Sequence, residues 1–502
     1  MENKPFYPSF RTQKLYSHEK NTQTKTHARA QQRRAIKAKQ RKAAARKQTV
    51  ASQQGKKKEL VLEMYRTIRL HFPELFGWMR EVDDCRNKAS EYELAAHLTA
   101  CLAMFLFKAG SRNQYNQHRE DIRFQKNYKR LFGFAMPHGD SVQNVMALLD
   151  VDQIERLKQK MVQLLLRRKT FHGSRYRGRW FRIAVDASGV GSYGHQRDAQ
   201  CLSRTSKTGK ATYFHSVLEA RLVTPNGFSV SIATEWIENP EGGEYDKQDC
   251  ERKGFARLAA TLKEVYPRLP MLILADGLYP YEGFFAICKA NRWAYCVTFK
   301  DGSLPTVWGE VMGLQPLQSQ NTRQEVYHRP GGGTVVRVFR WVTGVDYKGH
   351  ALNWLECAET IEPTVAGASK RGPKTTRFVH ITDLPVDVGN IADTSQTGRL
   401  RWKIENEGFN TLKNGGYGME HQYARKSYCA LKNYFQFMQM AHIIHQLMTL
   451  STRFQEGFMT AKNHPTLKNL WLDLVAVMKW LELDGDELER IDGTRRQFRF
   501  AA

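Results

Sequence analysis

The chain has 502 residues, of which 41% are hydrophobic and 25% charged, and its formal net charge is +27 at pH 7. This length excludes one simple core, so we expect two to four domains. The strong positive charge favours a polyanionic partner such as a nucleic acid. The longest apolar stretch, residues 94–107, includes His97 and is too short to cross a bilayer, so we expect no membrane partner.

The first 58 residues carry a large share of this charge. Residues 20–58 contain 14 Lys or Arg and no Asp or Glu. Helix-forming residues are frequent, but there is no apolar stripe that could be buried. We therefore predict that residues 1–58 are a disordered arm that binds DNA phosphates. The predicted contacts are four basic side chains: Arg33, Arg34, Lys37 and Arg41.

Residues 59–170 have apolar residues at three- and four-residue intervals, which is the period of amphipathic helices. We predict that they form a helical DNA-binding region. The polar segment 107–121 fits two interpretations equally well. It could line a groove of DNA, or it could be an ordinary solvated loop between helices.

From residue 171 the pattern changes to that of an α/β protein. Three strand-like segments come first, with a Pro-Asn-Gly turn at 225–227 between the second and third. A helix, a strand, a helix and a strand follow up to residue 300. This is the order of an RNase H-like core, so we assign residues 171–300 to the first part of such a core.

The remaining residues fall into three predicted regions. Residues 301–385 resemble strands separated by glycine-rich and basic loops, which indicates a β-rich insertion. Residues 386–450 return to a helical pattern and complete the core, and residues 451–502 form a C-terminal helical region. The predicted fold class is α/β, an RNase H-like core with a β-strand insertion between N-terminal and C-terminal helical regions.

Three acidic residues stand where this core would bring carboxylates together. Asp186 and Asp276 each end an apolar run, so we predict them at the ends of the first and fourth strands, and Glu405 lies in the helical pattern after the insertion. Mg²⁺ prefers oxygen ligands. Two such ions can stabilise the attacking and the leaving oxygen of a displacement at phosphorus. For a single Asp the alternative is a turn or helix cap, but two with a helix-borne Glu are more specific.

Arg401 precedes Glu405 by four residues, so both side chains share one face of a helix. An arginine in this position can bind a phosphate beside a metal site with two hydrogen bonds. The alternative is a surface ion pair that contributes little to stability.

Two other groups of residues are capable of binding metal. His195, Cys201 and His215 lack a fourth ligand and tight spacing, so we do not predict a zinc site from them. Asp246, Asp249 and Glu251 fit the acidic first turn of a helix better than a second metal site.

Four segments of the chain resemble DDE transposases of bacterial insertion sequences, in particular those of the cut-and-paste type with a β-rich insertion. The segments are IAVDASG, LADGLY, ENPEGGEYDKQDCE and RWKIENEGFNTLKNGGYGMEH. The resemblance covers roughly residues 90–450. It implies that Asp186, Asp276 and Glu405 bind two Mg²⁺ ions, with Mn²⁺ able to replace them. It also implies that Arg401 and a following lysine bind DNA at the transposon end.

The chain departs from the family pattern at two positions. Members that form a DNA hairpin have a tyrosine where this chain has Gly398. The lysine is expected at position 412, which is leucine here, and Lys413 comes one residue later. In an α-helix this places the Lys413 side chain about 80° around the axis from the face of Glu405. Glu407 is the rival of Glu405 as third acid, and the spacing from Arg401 favours Glu405.

The resemblance implies a transposase that cuts DNA at the ends of an insertion sequence and joins the freed end to target DNA. Its partners would be double-stranded transposon ends and target DNA, to which it would bind as a homodimer. We expect a bacterial cytoplasmic protein associated with the nucleoid. The alternatives are a structure-specific nuclease with an RNase H-like core and a domesticated DNA-binding protein that does not cut.

Overall fold

The computed structural model describes residues 39, 55–87, 90–240, 249–329, 333–362, 373–421, 423–424, 427–459, 465–492 and 500. The chain divides into two compact units, Met1–Val61 and Leu62–Ala502. In the first unit residues 55–61 are helical. The predicted contacts Arg33, Arg34, Lys37 and Arg41 lie outside the described residues, so the arm remains a prediction.

The second unit is a mixed α/β structure built on a ten-stranded mixed sheet. The strands in chain order are β1 (Phe181–Tyr193), β2 (Leu202–Thr205), β3 (Ala211–Val223), β4 (Ser229–Ile237), β5 (Met271–Ala275), β6 (Ala294–Thr298), β7 (Thr322–His328), β8 (Thr334–Tyr347), β9 (His350–Glu362) and β10 (Lys374–Thr382). Their order across the sheet is β2-β3-β1-β5-β6-β10-β9-β8-β7, and β4 also pairs with β3.

Helices surround this sheet. Described from residue 75 onward, they are α1 (Leu75–Arg80), α2 (Leu94–Leu106), α3 (Arg112–Arg119), α4 (Ile122–Phe132), α5 (Gly139–Leu148), α6 (Val151–Arg167), α7 (Glu251–Val265), α8 (Glu282–Asn291), α9 (Pro305–Leu314), α10 (Ile391–Arg399), α11 (Thr411–Asn414), α12 (Tyr428–Thr449), α13 (Thr452–Phe458), α14 (Leu467–Trp480) and α15 (Gly485–Asp492). Residues 62–71 are also helical. Two 3₁₀ turns, His172–Ser174 and Pro316–Gln318, and a π-helix, Ile404–Asn410, complete the set.

The centre of the sheet combines antiparallel and parallel pairing. β1 pairs antiparallel with β3 and parallel with β5, and β5 pairs parallel with β6. β5 is buried at every position, as expected of a parallel strand that is covered on both faces. The two parallel pairs bring the carboxyl ends of β1, β5 and β6 to one edge of the sheet.

The β-rich segment after residue 300 extends this same sheet. β10 pairs antiparallel with β6, and β9, β8 and β7 follow outward. The segment also contains α9, which the strand-like pattern of residues 301–385 did not predict. Pro305 at the first helical position suits a helix start, because the amide hydrogen that proline lacks has no partner there.

The helical layer is organised by α12, whose residues are buried over most of its length. It packs against α2, α5 and α6 on the side of β4. α6 shows why these sequences form helices: Ile154, Leu157, Met161 and Leu165 are buried at intervals of three or four residues. The Asp150 side chain caps its first turn by accepting a hydrogen bond from the Asp152 amide.

The predicted helices within residues 59–170 are present, and the ambiguous segment 107–121 is largely helical, because α3 occupies residues 112–119. The segment is therefore not a simple loop between helices, and its contact with DNA stays a prediction. In the part of the chain that the structure describes, no helix is both long and apolar enough to span a membrane.

Candidate active site

Asp186 and Asp276 occupy equivalent positions on neighbouring parallel strands. Ala184 of β1 is paired with Leu274 of β5, so each aspartate lies two residues beyond this pair. Side chains two residues apart on a strand share a face, and neighbouring strands are about 4.8 Å apart. The register therefore places both aspartates at the same edge of the sheet.

Only one of the two aspartates ends its strand. Asp276 directly follows β5, and its Oδ1 accepts a hydrogen bond from the Leu278 amide at 2.8 Å, as in a turn that follows an Asp. Asp186 lies inside β1, which continues to Tyr193. The prediction of a strand end at Asp186 was wrong, because β1 continues to pair with β3 after its pairing with β5 has stopped.

Arg401 joins Asp186 to Glu405. One guanidinium nitrogen, Nη1, lies 3.2 Å from Asp186 Oδ2 and 2.9 Å from Glu405 Oε1. Arg401 is only 7% exposed, and Glu405 is more open to solvent than Asp186. Two of the three predicted acids, 219 positions apart in the chain, thus share a single cation.

The surroundings of Asp186 disfavour its charged form. Burial raises the pKa of Asp186 to about 7, the Arg401 guanidinium opposes this rise, and the Glu405 carboxylate adds to it. Burial and a neighbouring carboxylate raise the pKa of a carboxyl group, and a bound cation would lower it again. Such perturbed groups are frequent at functional sites.

Asp276 interacts with two charged residues that the sequence analysis did not assign to the site, Glu251 and Lys300. Burial and the Asp276 carboxylate raise the pKa of Glu251, the first residue of α7. The Glu251 carboxylate in turn makes the smallest contribution to the raised pKa of Asp186. Lys300 contacts Asp276 Oδ2 through Nζ at 3.2 Å. Glu251 does lie in the first turn of a helix, as predicted, but it also faces the acids.

Glu407 and Lys413 have other partners. Glu407 Oε1 accepts a hydrogen bond from Lys403 Nζ at 2.7 Å, and Lys413 Nζ lies 2.9 Å from Glu420 Oε1. Glu405 is therefore the glutamate of this segment that shares a partner with Asp186. Lys413, predicted to bind DNA, is engaged in an ion pair with a largely exposed glutamate.

The segment that carries Glu405 is a π-helix rather than the α-helix on which the sequence argument rested. A π-helix has wider turns, so the 80° displacement calculated for Lys413 does not apply. Gly408 lies in this segment, and a Cβ there would be 3.1 Å from Arg221 Nε and 3.2 Å from Ser229 Oγ. The absence of a side chain lets the π-helix pack closely on β3 and β4.

Gly398, the position at which the sequence resemblance predicts a tyrosine in hairpin-forming transposases, is tightly packed. A Cβ at Gly398 would lie 2.6 Å from His380 Cδ2 and 3.0 Å from Cys296 Sγ. His380 is on β10 and Cys296 on β6, so α10 lies directly on the sheet. A tyrosine side chain cannot be accommodated there without moving a strand or the helix.

Next to Arg401, Trp402 offers an exposed aromatic surface. Half of its side chain, 51%, is exposed, and the Arg401 guanidinium carbon lies 4.8 Å from its ring centroid. Exposed tryptophans can stack on nucleic-acid bases. The sequence signal was the pair Arg-Trp itself, but only the fold shows that the indole is exposed.

The donor atoms of this site suit a hard divalent cation. Asp186, Glu251, Asp276 and Glu405 provide carboxylate oxygens, and Arg401 and Lys300 contact three of these groups. The oxygens are not drawn together as tightly as in a formed metal centre. Within the described ranges, the one group of three side chains with ligand atoms all within 4.8 Å is a different one, Asp198, Cys201 and His215.

No protein-family model matches the chain, and no curated protein matches it either.

Proposed function

We propose that the chain is a DDE transposase, which cuts DNA at insertion-sequence ends and transfers the cut strand into target DNA. The main support is that Asp186 and Glu405 both contact one nitrogen atom of Arg401. In addition, the pairing of β1 with β5 brings Asp186 and Asp276 to matching positions at the same edge of the sheet. These are the three acids that the sequence pattern selects.

The topology also supports the proposal. β4, β3, β1, β5 and β6 are adjacent in this order, with helices α7 and α8 after β4 and β5. Three antiparallel strands followed by two parallel ones, with the first strand central, is the arrangement of an RNase H-like core. Because many functions share one fold, the acids rather than the topology carry the functional argument.

The proposed cofactor is Mg²⁺, held by Asp186, Asp276 and Glu405, with Glu251 as a further oxygen donor at the edge of the site. When bound, two ions would act as Lewis acids on a phosphodiester. To bind the metal, the carboxylates would have to give up their contacts with Arg401 and Lys300. Arg401 would be released at the position where a DNA phosphate approaches, and its planar guanidinium can bind that phosphate through two hydrogen bonds.

The proposed reaction exchanges phosphodiester bonds. In the first step water attacks a phosphorus atom at the element end, which leaves a free 3′-hydroxyl and a 5′-phosphate. In the second step this 3′-hydroxyl attacks a phosphorus atom of the target, and the target's own 3′-hydroxyl leaves. One phosphodiester replaces another, so the joining step requires no nucleoside triphosphate.

The net charge of +27 supports DNA as the partner, because basic surfaces bind phosphate backbones. Trp402 supports contact with an unstacked base near the cut site. A nuclease of the same fold would use the same acids but would stop after hydrolysis. A non-cutting DNA-binding protein would have no use for Asp186, Asp276 and Glu405 as metal ligands.

The test is a cleavage and strand-transfer assay with Mg²⁺ on DNA that carries the inverted repeats flanking the gene. We expect Asp186→Asn and Glu405→Gln each to reduce cleavage by at least about a hundredfold while end binding persists. Glu407→Gln is the matched control on the same π-helix, and it should retain cleavage. Cleavage without strand transfer would favour the nuclease, and equal activity of Asp186→Asn and the wild type would exclude the proposed site.

A further inference from the structure

A second cluster of ligand side chains lies beyond the far end of β1, and it does not involve the proposed active site. Asp198 and Cys201 come from the connection between β1 and β2, and His215 comes from β3. Cys201 and His215 are buried, and Asp198 is half-buried. One ligand atom from each of the three lies within 4.8 Å of the other two.

We propose that Asp198, Cys201 and His215 form a zinc site. His215 Nε2 is 3.4 Å from Cys201 Sγ and 3.1 Å from Asp198 Oδ1. Zinc bonds of about 2.3 Å to sulfur and 2.0–2.2 Å to nitrogen and oxygen place tetrahedral ligand atoms about 3.4–3.6 Å apart. The two distances from His215 Nε2 match this spacing to within a few tenths of an ångström.

The direction of the contacts distinguishes a metal site from a catalytic triad. In a triad the carboxylate binds one imidazole nitrogen and the nucleophile binds the other. Here both the carboxylate and the thiol face the same nitrogen, Nε2 of His215. Three ligand atoms within 4.8 Å of one another, two of them beside the same imidazole nitrogen, leave a cation able to contact all three.

The other nitrogen of His215 is held as in many metal sites. Nδ1 lies 3.1 Å from the hydroxyl of Tyr193, and the His215 ring stacks on Tyr428 at 4.3 Å between centroids. A hydroxyl that accepts the Nδ1 hydrogen fixes the tautomer with a free lone pair on Nε2. Tyr193 is therefore a positioning residue for the ligand.

The fourth coordination position has space. A cavity of about 460 Å³ is lined by Asp198, His215, His195 and Tyr428, so a water molecule or the His195 imidazole can complete a tetrahedron. Zinc here would join the connection after β1 to the edge of β3. Its role would be structural, since it would fix the end of the long strand that carries Asp186.

Zinc content and affinity of the full-length protein test this proposal. The chelator-treated chain should bind one equivalent of Zn²⁺, with a rise in melting temperature. Co²⁺ in its place should give a sulfur-to-cobalt charge-transfer band. Cys201→Ser should abolish the band. Cys201→Ser and His215→Gln should both weaken binding more than Tyr193→Phe, for which we expect a loss of about tenfold to a hundredfold.

Two controls separate this site from other effects. Cys85→Ser removes a partly buried thiol outside the cluster and should bind zinc like the wild type. Asp186→Asn should also retain zinc, whatever its effect on DNA cleavage. If Cys201→Ser does not fold, Asp198→Asn and the cobalt spectrum of the wild type decide. Absence of zinc binding by the wild type, or wild-type affinity of Cys201→Ser, would overturn the proposal.

Discussion

Arg401 contacts Asp186 and Glu405 through a single nitrogen atom and is almost fully buried. It holds together two carboxylates that would otherwise repel each other. The same contact places a cation at the point where the proposed metal would bind. The residue therefore has a role without metal, as counter-ion, and a proposed role with DNA, as phosphate ligand.

The raised pKa of Asp186 predicts that Mg²⁺ binding depends on pH. Burial raises this pKa from 3.8 to about 7, so the group is protonated below about pH 7 and must lose its proton to bind metal. Apparent Mg²⁺ affinity should fall by up to about tenfold per pH unit below pH 7 and level off above it. Isothermal titration at several pH values measures this, and Asp186→Asn should remove the dependence.

The raised pKa of Asp186 also affects the stability of the metal-free protein, which should fall with rising pH whereas Mg²⁺ binding should become stronger. An acid whose pKa is raised on folding binds more protons in the folded state. The free energy of unfolding should therefore decrease as pH rises from about 3.8 to about 7. Melting temperatures measured in chelator test this expectation. If the melting temperature of the wild type rises over this pH range relative to that of Asp186→Asn, the assignment is contradicted.

Arg401→Lys should reduce cleavage although the charge is kept, and Arg401→Ala should reduce it further. Lysine presents a single ammonium group and cannot copy the planar guanidinium. Lys413→Ala should cost less, because Lys413 is paired with Glu420 rather than with the acids. Single-turnover cleavage rates measure these effects, and a larger loss for Lys413→Ala than for Arg401→Ala would assign the main DNA contact to the lysine.

At the scale of elements, two glycines let helical segments lie directly on the sheet. Gly408 allows the π-helix to approach Arg221, and Gly398 allows α10 to approach His380 and Cys296. The π-helix carries Glu405, so its close packing determines where the third acid lies. An unusual helix at a functional residue is a recurrent feature of protein sites.

Gly398→Ala should destabilise the protein by about 1–3 kcal/mol, because its Cβ would lie 2.6 Å from the buried His380 ring. Gly398→Tyr should be worse and should not restore a hairpin-forming site. Gly457→Ala in α13 is the matched control: no atom lies within 4 Å of its Cβ, so alanine should be neutral or stabilising there. Thermal melts compare the three, and equal melting temperatures would refute the packing argument.

At the scale of the whole molecule, charge rather than shape indicates the partner. The chain carries 77 Lys or Arg against 50 Asp or Glu, and the first 58 residues hold a dense group of the basic ones. The predicted basic arm would bind the backbone of DNA of any sequence, so it would add affinity without selecting the site.

Deletion of residues 1–58 removes at least 14 positive charges and should weaken non-specific DNA binding. Each lost phosphate contact should reduce the slope of log affinity against log salt by about 0.9. Binding measured over a range of salt concentrations gives this slope. An unchanged slope would mean that the arm does not contact DNA.

Local patterns in the sequence determined most of the helices and strands and the candidate acids. Apolar periodicity predicted α6 and α12, and the apolar runs before Asp186 and Asp276 predicted β1 and β5. These signals are local, since a helix or a buried strand imposes its own spacing on the residues that form it. The spacing from Arg401 likewise favoured Glu405 over Glu407.

The tertiary structure alone decided which side chains meet. The continuation of β1 past Asp186 depends on its pairing with β3, and the place of Glu251 beside Asp276 depends on how α7 lies against the sheet. The convergence of Asp198 and Cys201 on one nitrogen of His215 depends on a pairing between a loop and a strand. Contacts of this kind leave no periodic trace in the sequence, because they join segments whose separation is set by the fold and not by the pitch of a helix or strand.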